Sequence, residues 1–197
     1  LFTGPLTDRL GGRIAMLIGA LGSICANLAM GTVLYGNVHW DWNLPIFSTF
    51  CVLYAINMHF QSYGAIAIVT VKAPWFHVRE RGTFSTIFGF IISLGIYFAF
   101  DWGYALVAAT RADFDPEKAG FFANLFSRIF GVGGTGVDEN WWVFFAPAIF
   151  IGICWVIMAF FLKNTPGDAG YKDFDTGEGS VSVDGETLPV RQVFWKI

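Results

Sequence analysis

Four long apolar runs constrain this chain more than any motif in it: residues 14–35, 46–71, 84–106 and 141–162. The first, second and fourth contain no Asp, Glu, Lys or Arg, and the third carries only Asp101 near one end. About 20 apolar residues in a helix cross a hydrocarbon core of roughly 30 Å. Inside that core the backbone must satisfy its own polar groups, which a helix does alone. The expected fold class is therefore an all-α membrane protein with four transmembrane helices. Composition agrees, since 55% of the 197 residues are apolar and only 14% are charged. A secreted protein with a cleaved signal would show one short apolar stretch behind a basic start, not four long ones.

Charge placement sets the expected topology, because Lys and Arg concentrate in connections that stay on the cytoplasmic side. Nine of the twelve fall on one side: Arg9, Arg13, Lys72, Arg79, Arg81, Lys163, Lys172, Arg191 and Lys196. Segments 1–13, 72–83 and 163–197 are accordingly expected to be cytoplasmic. The opposite side holds "GNVHWDWNLP", free of Lys and Arg, and a 107–140 connection whose Arg111, Lys118 and Arg128 are offset by five acids. Trp40, Trp42, Trp102, Tyr104, Trp141 and Trp142 lie at the outer boundaries, where amphipathic rings favour the headgroup layer.

Within the outer connection, apolar residues at 121, 122, 125, 126, 129 and 130 fit one face of a short helix lying on the membrane or over helix ends. "GVGGTGVDEN" after it reads as a flexible link. Beyond Leu162 the chain turns polar, as a loop with a short hairpin expected around Asp184 and Gly185, and "VRQVFWKI" at its end is amphipathic. Leu1 and Phe2 read as the tail of an earlier helix, so native residues are expected before Leu1 and after Ile197. Cys25, Cys51 and Cys154 sit inside apolar runs, as small buried hydrophobes rather than redox or metal groups. A net charge of −3 without a basic cluster argues against a nucleic-acid partner. No HExxH, CxxC, nucleophile elbow or phosphate-cradling GxxxxGK[ST] is present, so no enzyme chemistry and no cofactor or metal is expected.

Polar side chains at membrane depth are default site candidates. Asn57, His59, Gln61, Ser62 and Tyr63 cluster within two turns of the second run, with Asn57, Gln61 and Gly64 on one face. Gln61 either lines a cavity or bonds to another helix; His59 either packs at an interface or carries charge or a proton. Asn27, alone in the first run, reads as packing.

The opening stretch "GPLTDRLGGR" places Gly4, Asp8, Arg9, Gly11, Gly12 and Arg13 in a GxxxDRxGxR pattern, read as a tight turn between two membrane helices. The pattern resembles the signature loop of the major facilitator superfamily. In that family the Asp is thought to latch the outward-facing state. "FQSYG" at 60–64 and "WFHVRERGTFSTIFGF" at 75–90, with Trp75, Glu80, Arg81 and Gly82 in place, resemble the organophosphate:phosphate antiporter branch, and "KNTPGDAGY" resembles its central loop.

The resemblance implies that the four runs are the third to sixth helices of an N-terminal bundle in a bacterial inner membrane. The implied activity is exchange of an organic phosphate or related anion for inorganic phosphate. The missing helices, or a partner subunit, would complete it. The branch reads phosphate with arginines on its first and seventh helices, neither of which is in this sequence. Its fifth-helix histidine and asparagine fall here on Ile92 and Gly89, so glycerol-3-phosphate is not carried over as substrate. Gly89 and Gly95 read instead as helix packing. Arg79, Glu80 and Arg81 either cap the fifth helix or meet the opening loop, Arg81 with Asp8 being the sharper form. A sensor of the same fold, a carrier of another organic anion, and a truncated facilitator serving as a structural subunit stand as alternatives.

Overall fold

A computed structural model describes residues 3–173 and 175–177, without the side chains of Thr3, Pro5 and Asp8. Six α-helices follow in order: α1 (Thr3–Leu10), α2 (Gly12–His39), α3 (Ile46–Lys72), α4 (Arg81–Ala109), α5 (Phe121–Phe130) and α6 (Trp142–Phe161). No strand occurs among the described residues. Helices α2, α3, α4 and α6 are each long and apolar enough to cross a membrane. The chain is thus an all-helical, multi-pass membrane protein. The expected hairpin near Asp184 and the "VRQVFWKI" stretch lie outside the described residues.

Helix α2 is the centre of the fold, with α3 on one side and α6 on the other. Its α3-facing stripe is built from small residues: Gly12, Ala15, Gly19, Gly22, Ser23 and Ala26 are all buried. Lipid tails are as apolar as leucine, so membrane helices associate by close packing, which small residues permit. At Gly19 the backbones nearly touch: a Cβ there would stand 2.8 Å from the Phe60 carbonyl oxygen and 3.2 Å from the Gly64 nitrogen. Ala15, Tyr63 and Ala67 form the buried cluster across this seam, flanked by Met16 and Phe60. Further along α2, Gly31 accepts the Phe145 ring of α6. The indole Nε1 of Trp155 on α6 donates to the Leu17 carbonyl at 2.9 Å.

Helix α4 stands apart. It packs on α5 and, less, on α6, is joined to the end of α3 by a hydrogen bond from Lys72 to Ser85, and a Cβ at Gly82, Gly89, Gly95 or Gly103 would meet nothing within 4 Å. The reading of Gly89 and Gly95 as packing glycines is therefore corrected for the described chain: the face that carries them is open. Two cysteines need the same correction, since Cys25 and Cys51 are exposed and only Cys154 is partly covered. Both sit on helix flanks that no other described element covers.

The opening pattern is mostly helical, with a one-residue break between two helices. Residues 3–10 are helical, and the break falls at Gly11 alone, whose φ of 81° is the left-handed region that glycine adopts without strain.

The 107–140 connection is knitted rather than slack. Asp138 accepts from the Ala112 N–H at 2.8 Å, Glu139 from the Gly133 N–H at 2.9 Å, and the Thr110 carbonyl from the Glu139 N–H at 2.8 Å. Gly131, Gly133, Gly134 and Gly136 all take positive φ, and Gly134 N–H reaches the Arg111 carbonyl, so the glycine run is a sequence of hydrogen-bonded turns. At the same end Tyr35, His39 and Trp141 are in mutual ring contact, with centroids 4.4–5.2 Å apart.

Candidate functional site

Two residues along a helix turn the side chain through about 200°, and this divides the polar cluster of α3. Asn57 is buried and accepts from Gln61 Nε2 at 3.2 Å. Gln61 is exposed, and its bond to Asn57 lies within its own helix, so it does not tie α3 to a neighbour. Phe50, on the same edge at spacings of seven and eleven, meets Phe144 of α6 at 5.3 Å, so the Asn57–Gln61 edge is turned toward the α6 side. His59 lies on the other edge, exposed, with its ring edge-on to Phe60 and Tyr63. There it lines a shallow apolar groove with Cys51, Val52, Ala55, Ile56 and Phe60. Tyr63 is in the α2–α3 seam. Ser62 Oγ is spent on the His59 carbonyl at 2.6 Å. The five residues therefore form a hydrogen-bonded amide pair, a separate histidine, a serine bonded to its own helix, and a tyrosine packed in the seam. Asn27 behaves as a packing residue, its Nδ2 donating to the Ser23 carbonyl at 2.8 Å.

The amide pair is the part of α3 suited to holding a polar solute. Once Gln61 has donated one N–H to Asn57, its carbonyl oxygen and second N–H have no described partner. In a low-dielectric setting each such group gains from a polar ligand.

The second candidate region is the basic end of the bundle. Gly12 of α2 packs on Val71 of α3, and Lys72 Nζ donates to Ser85 Oγ of α4 at 2.7 Å. Arg13 reaches α6, donating from Nη2 to the Ala159 carbonyl at 2.7 Å, while its backbone N–H donates to Asn164 Oδ1 at 2.9 Å. Arg13 Nε is buried without a partner. Arg81 Nη2 donates to the Ala73 carbonyl at 2.6 Å and Nε to the Phe76 carbonyl at 3.3 Å, closing the α3–α4 turn over a Phe76–Phe84 ring contact. Glu80 occupies the position before α4 and makes no side-chain capping bond; its charge still suits the positive end of the helix dipole. Arg9 is exposed, and a Cβ at Gly4 would meet nothing within 4 Å.

Three participants escaped the sequence reading. Asn164 and Trp155 each join α2 to the α6 side, and Thr176 accepts from the Val78 N–H at 3.0 Å, bringing the segment after α6 beneath the α3–α4 turn. Trp155 carried a signal, because an indole N–H amid apolar residues needs an acceptor. Thr176 carried none, since it contributes only its carbonyl. Among the described residues no three His, Cys, Asp or Glu side chains gather to hold a metal.

No protein-family model matches the chain, and no solved structure matches it significantly. Curated relatives do. The chain is 25% identical over 177 residues to "Putative glycerol-3-phosphate transporter 4" of Arabidopsis thaliana, covering 89% of this chain and 26% of that protein. It is 30% identical over 115 residues to "Putative glycerol-3-phosphate transporter 3" and 28% over 115 residues to "Putative glycerol-3-phosphate transporter 1" of the same plant, each match covering 21% of the relative. The chain thus spans about a quarter or less of the relatives it matches. Weak, partial homology relates this chain to proteins named as glycerol-3-phosphate transporters.

Proposed function

We propose that the chain is part of a secondary transporter that exchanges an organic phosphate or related organic anion for inorganic phosphate by alternating access. The observation that carries this reading is similarity over 89% of the chain to a protein named as a glycerol-3-phosphate transporter. The fold supports it: α2, α3 and α6 form a closely packed unit fastened at the basic end, suited to moving as one body. On this reading the Asn57–Gln61 pair contacts the non-phosphate part of the substrate, and His59 and Tyr63 stand beside it as the weaker candidates. Phosphate is bound by groups outside these residues. Gly4, Asp8, Arg9, Gly11 and Arg13, with Glu80 and Arg81, form the conformational latch at the basic end, which faces the cytoplasm of a bacterium whose inner membrane holds the protein.

The test is exchange in proteoliposomes of the full protein loaded with inorganic phosphate. Uptake of labelled phosphate, competed by a particular organic phosphate, is the expected result. Competition by a non-phosphorylated organic anion alone would move the substrate class. Binding of sugar phosphate without exchange would favour a sensor, and fixed-stoichiometry co-purification with other membrane proteins without exchange would favour a structural subunit.

A further inference from the structure

Helix α5 is inside out by the standard of a water-soluble domain. Its polar side chains point inward: Asn124 Nδ2 donates to the Pro116 and Ala119 carbonyls, both at 3.0 Å, and Ser127 Oγ to the Val132 carbonyl at 2.6 Å. Its outward face is Phe121, Phe122, Leu125 and Ile129, with Phe121 76% and Ile129 61% exposed. At 100° per residue these four fall within one quadrant or so of the helix, with Arg128 at its border. A contiguous apolar face of this kind is unfavourable against water and implies an apolar occupant.

The surroundings identify that occupant. Ten residues make a helix of about 15 Å, too short to cross the hydrocarbon core. Both ends of α5 are tied to tryptophans of spanning helices: Phe122 meets Trp102 of α4 at 5.9 Å, and Phe130 meets Trp142 of α6 at 5.0 Å. Tryptophan prefers the headgroup level, so the helix is held at that depth with its axis running between α4 and α6. Its exposed face continues, through Trp102, into the exposed apolar surface of α4. The preceding loop carries Asp113, Asp115, Glu117 and Lys118, and Arg128 on the border of the face is placed to reach lipid phosphate while its stem stays in apolar surroundings.

We propose that α5 is an interfacial anchor, with Phe121, Phe122, Leu125 and Ile129 immersed in the headgroup–acyl boundary of the outer leaflet, and that it sets the depth of the outer ends of α4 and α6. The inference does not depend on what the protein carries.

Spin labels at Leu125→Cys and Ile129→Cys test it, in full-length protein whose Cys25, Cys51 and Cys154 are replaced by Ala, reconstituted in phosphatidylcholine–phosphatidylglycerol vesicles. Val137→Cys in the outer loop is the aqueous reference. At 125 and 129, collision with oxygen is expected to exceed collision with a water-soluble nickel chelate several-fold, the reverse of the ratio at 137. Nickel accessibility equal to that at 137 would overturn the proposal in favour of a water-facing helix. Immobilised labels reached by neither reagent would overturn it in favour of coverage by protein, whether further helices or a second copy. A phospholipid bearing a diazirine near its glycerol backbone gives an answer on the unsubstituted protein: adducts on residues 121–129 are expected, and their absence beside adducts on α4 would overturn the assignment.

Discussion

The guanidinium of Arg13 closes the end of α6, its Nη2 standing 2.7 Å from the Ala159 carbonyl. The last carbonyls of a helix have no partner inside it and carry the negative end of its dipole, so a cation there is favourable twice. The converse holds at the start of α2. Gly11 has no side chain to cap it, and Asn164, arriving from beyond α6, supplies the missing oxygen to the Arg13 N–H. Each helix is therefore capped by a residue outside it. Arg13→Ala should lower stability by about 1.5–3 kcal/mol, the range for a hydrogen bond to a charged group, and Asn164→Ala by about 1 kcal/mol. Thermal unfolding in detergent checks both. Because the two residues join the same pair of ends, the double variant should lose less than the sum.

The Gly64 backbone nitrogen passes close to Gly19, yet substitution at the two glycines should act very differently. A Cβ at Gly19 would stand 2.8 Å from a backbone carbonyl, while one at Gly64 would meet nothing within 4 Å. Gly19→Ala forces α2 and α3 apart and should cost about 1–3 kcal/mol. Gly64→Ala relieves the backbone entropy of a helical glycine and should be neutral or stabilising by up to about 1 kcal/mol. Equal melting temperatures for the two variants would contradict the close approach.

The spans were legible because charge is so costly in hydrocarbon that an apolar run free of it for about 20 residues marks a membrane-crossing helix. Phe121 to Phe130 was legible as a helix for a related reason, its apolar residues sharing a face. Partner choice was not. Glycines 19 and 89 look alike in sequence, yet one lies against Phe60 and the other faces open space, because periodicity identifies a face without naming what it meets. In the opening motif the break falls at one of the two adjacent glycines, because a single left-handed residue suffices to interrupt a helix, and which of the two takes it was not legible. In the polar cluster of α3, one face for Asn57 and Gln61 followed from spacing, whereas the burial of Tyr63 in the α2 seam depended on the neighbour.

Asp115 is expected to titrate below the ordinary 3.8. The Lys118 ammonium at 2.9 Å is the chief cause, and the Glu117 backbone N–H, donating to the other oxygen at 3.0 Å, adds to it. A depressed carboxylate contributes stability that is present above its unfolded value and lost as pH falls through the folded one. The turn leading into α5 should therefore hold at neutral pH and loosen only in strong acid. Carboxyl carbon NMR gives the midpoint directly; Lys118→Ala should raise it toward 3.8.

The latch proposed at the basic end makes a testable prediction. If Asp8 holds one conformation of the full transporter, Asp8→Asn should shift the inward–outward balance, read from cysteine accessibility on the two sides of the vesicle. Arg81→Lys should shift it less, because a lysine keeps the charge near the Ala73 and Phe76 carbonyls while losing the forked geometry. An unchanged balance in Asp8→Asn would remove the latch and leave Asp8 a solvated charge that helps set topology.

The two edges of α3 predict unequal effects on transport. Gln61 presents free donor and acceptor capacity beside Asn57, whereas His59 sits among Cys51, Val52, Ala55, Ile56 and Phe60 on the far edge. Loss of one hydrogen bond to a solute costs about 0.5–1.5 kcal/mol, so Gln61→Ala should raise the KM for exchange by about 2- to 12-fold. Asn57→Ala should act in the same direction and add a loss of stability, because Asn57 is buried. His59→Phe keeps the size and ring contacts of the groove and should leave KM near its starting value. If His59→Phe abolished exchange while Gln61→Ala did not, the solute path would lie along the apolar groove, and the amide pair would be a packing feature of α3.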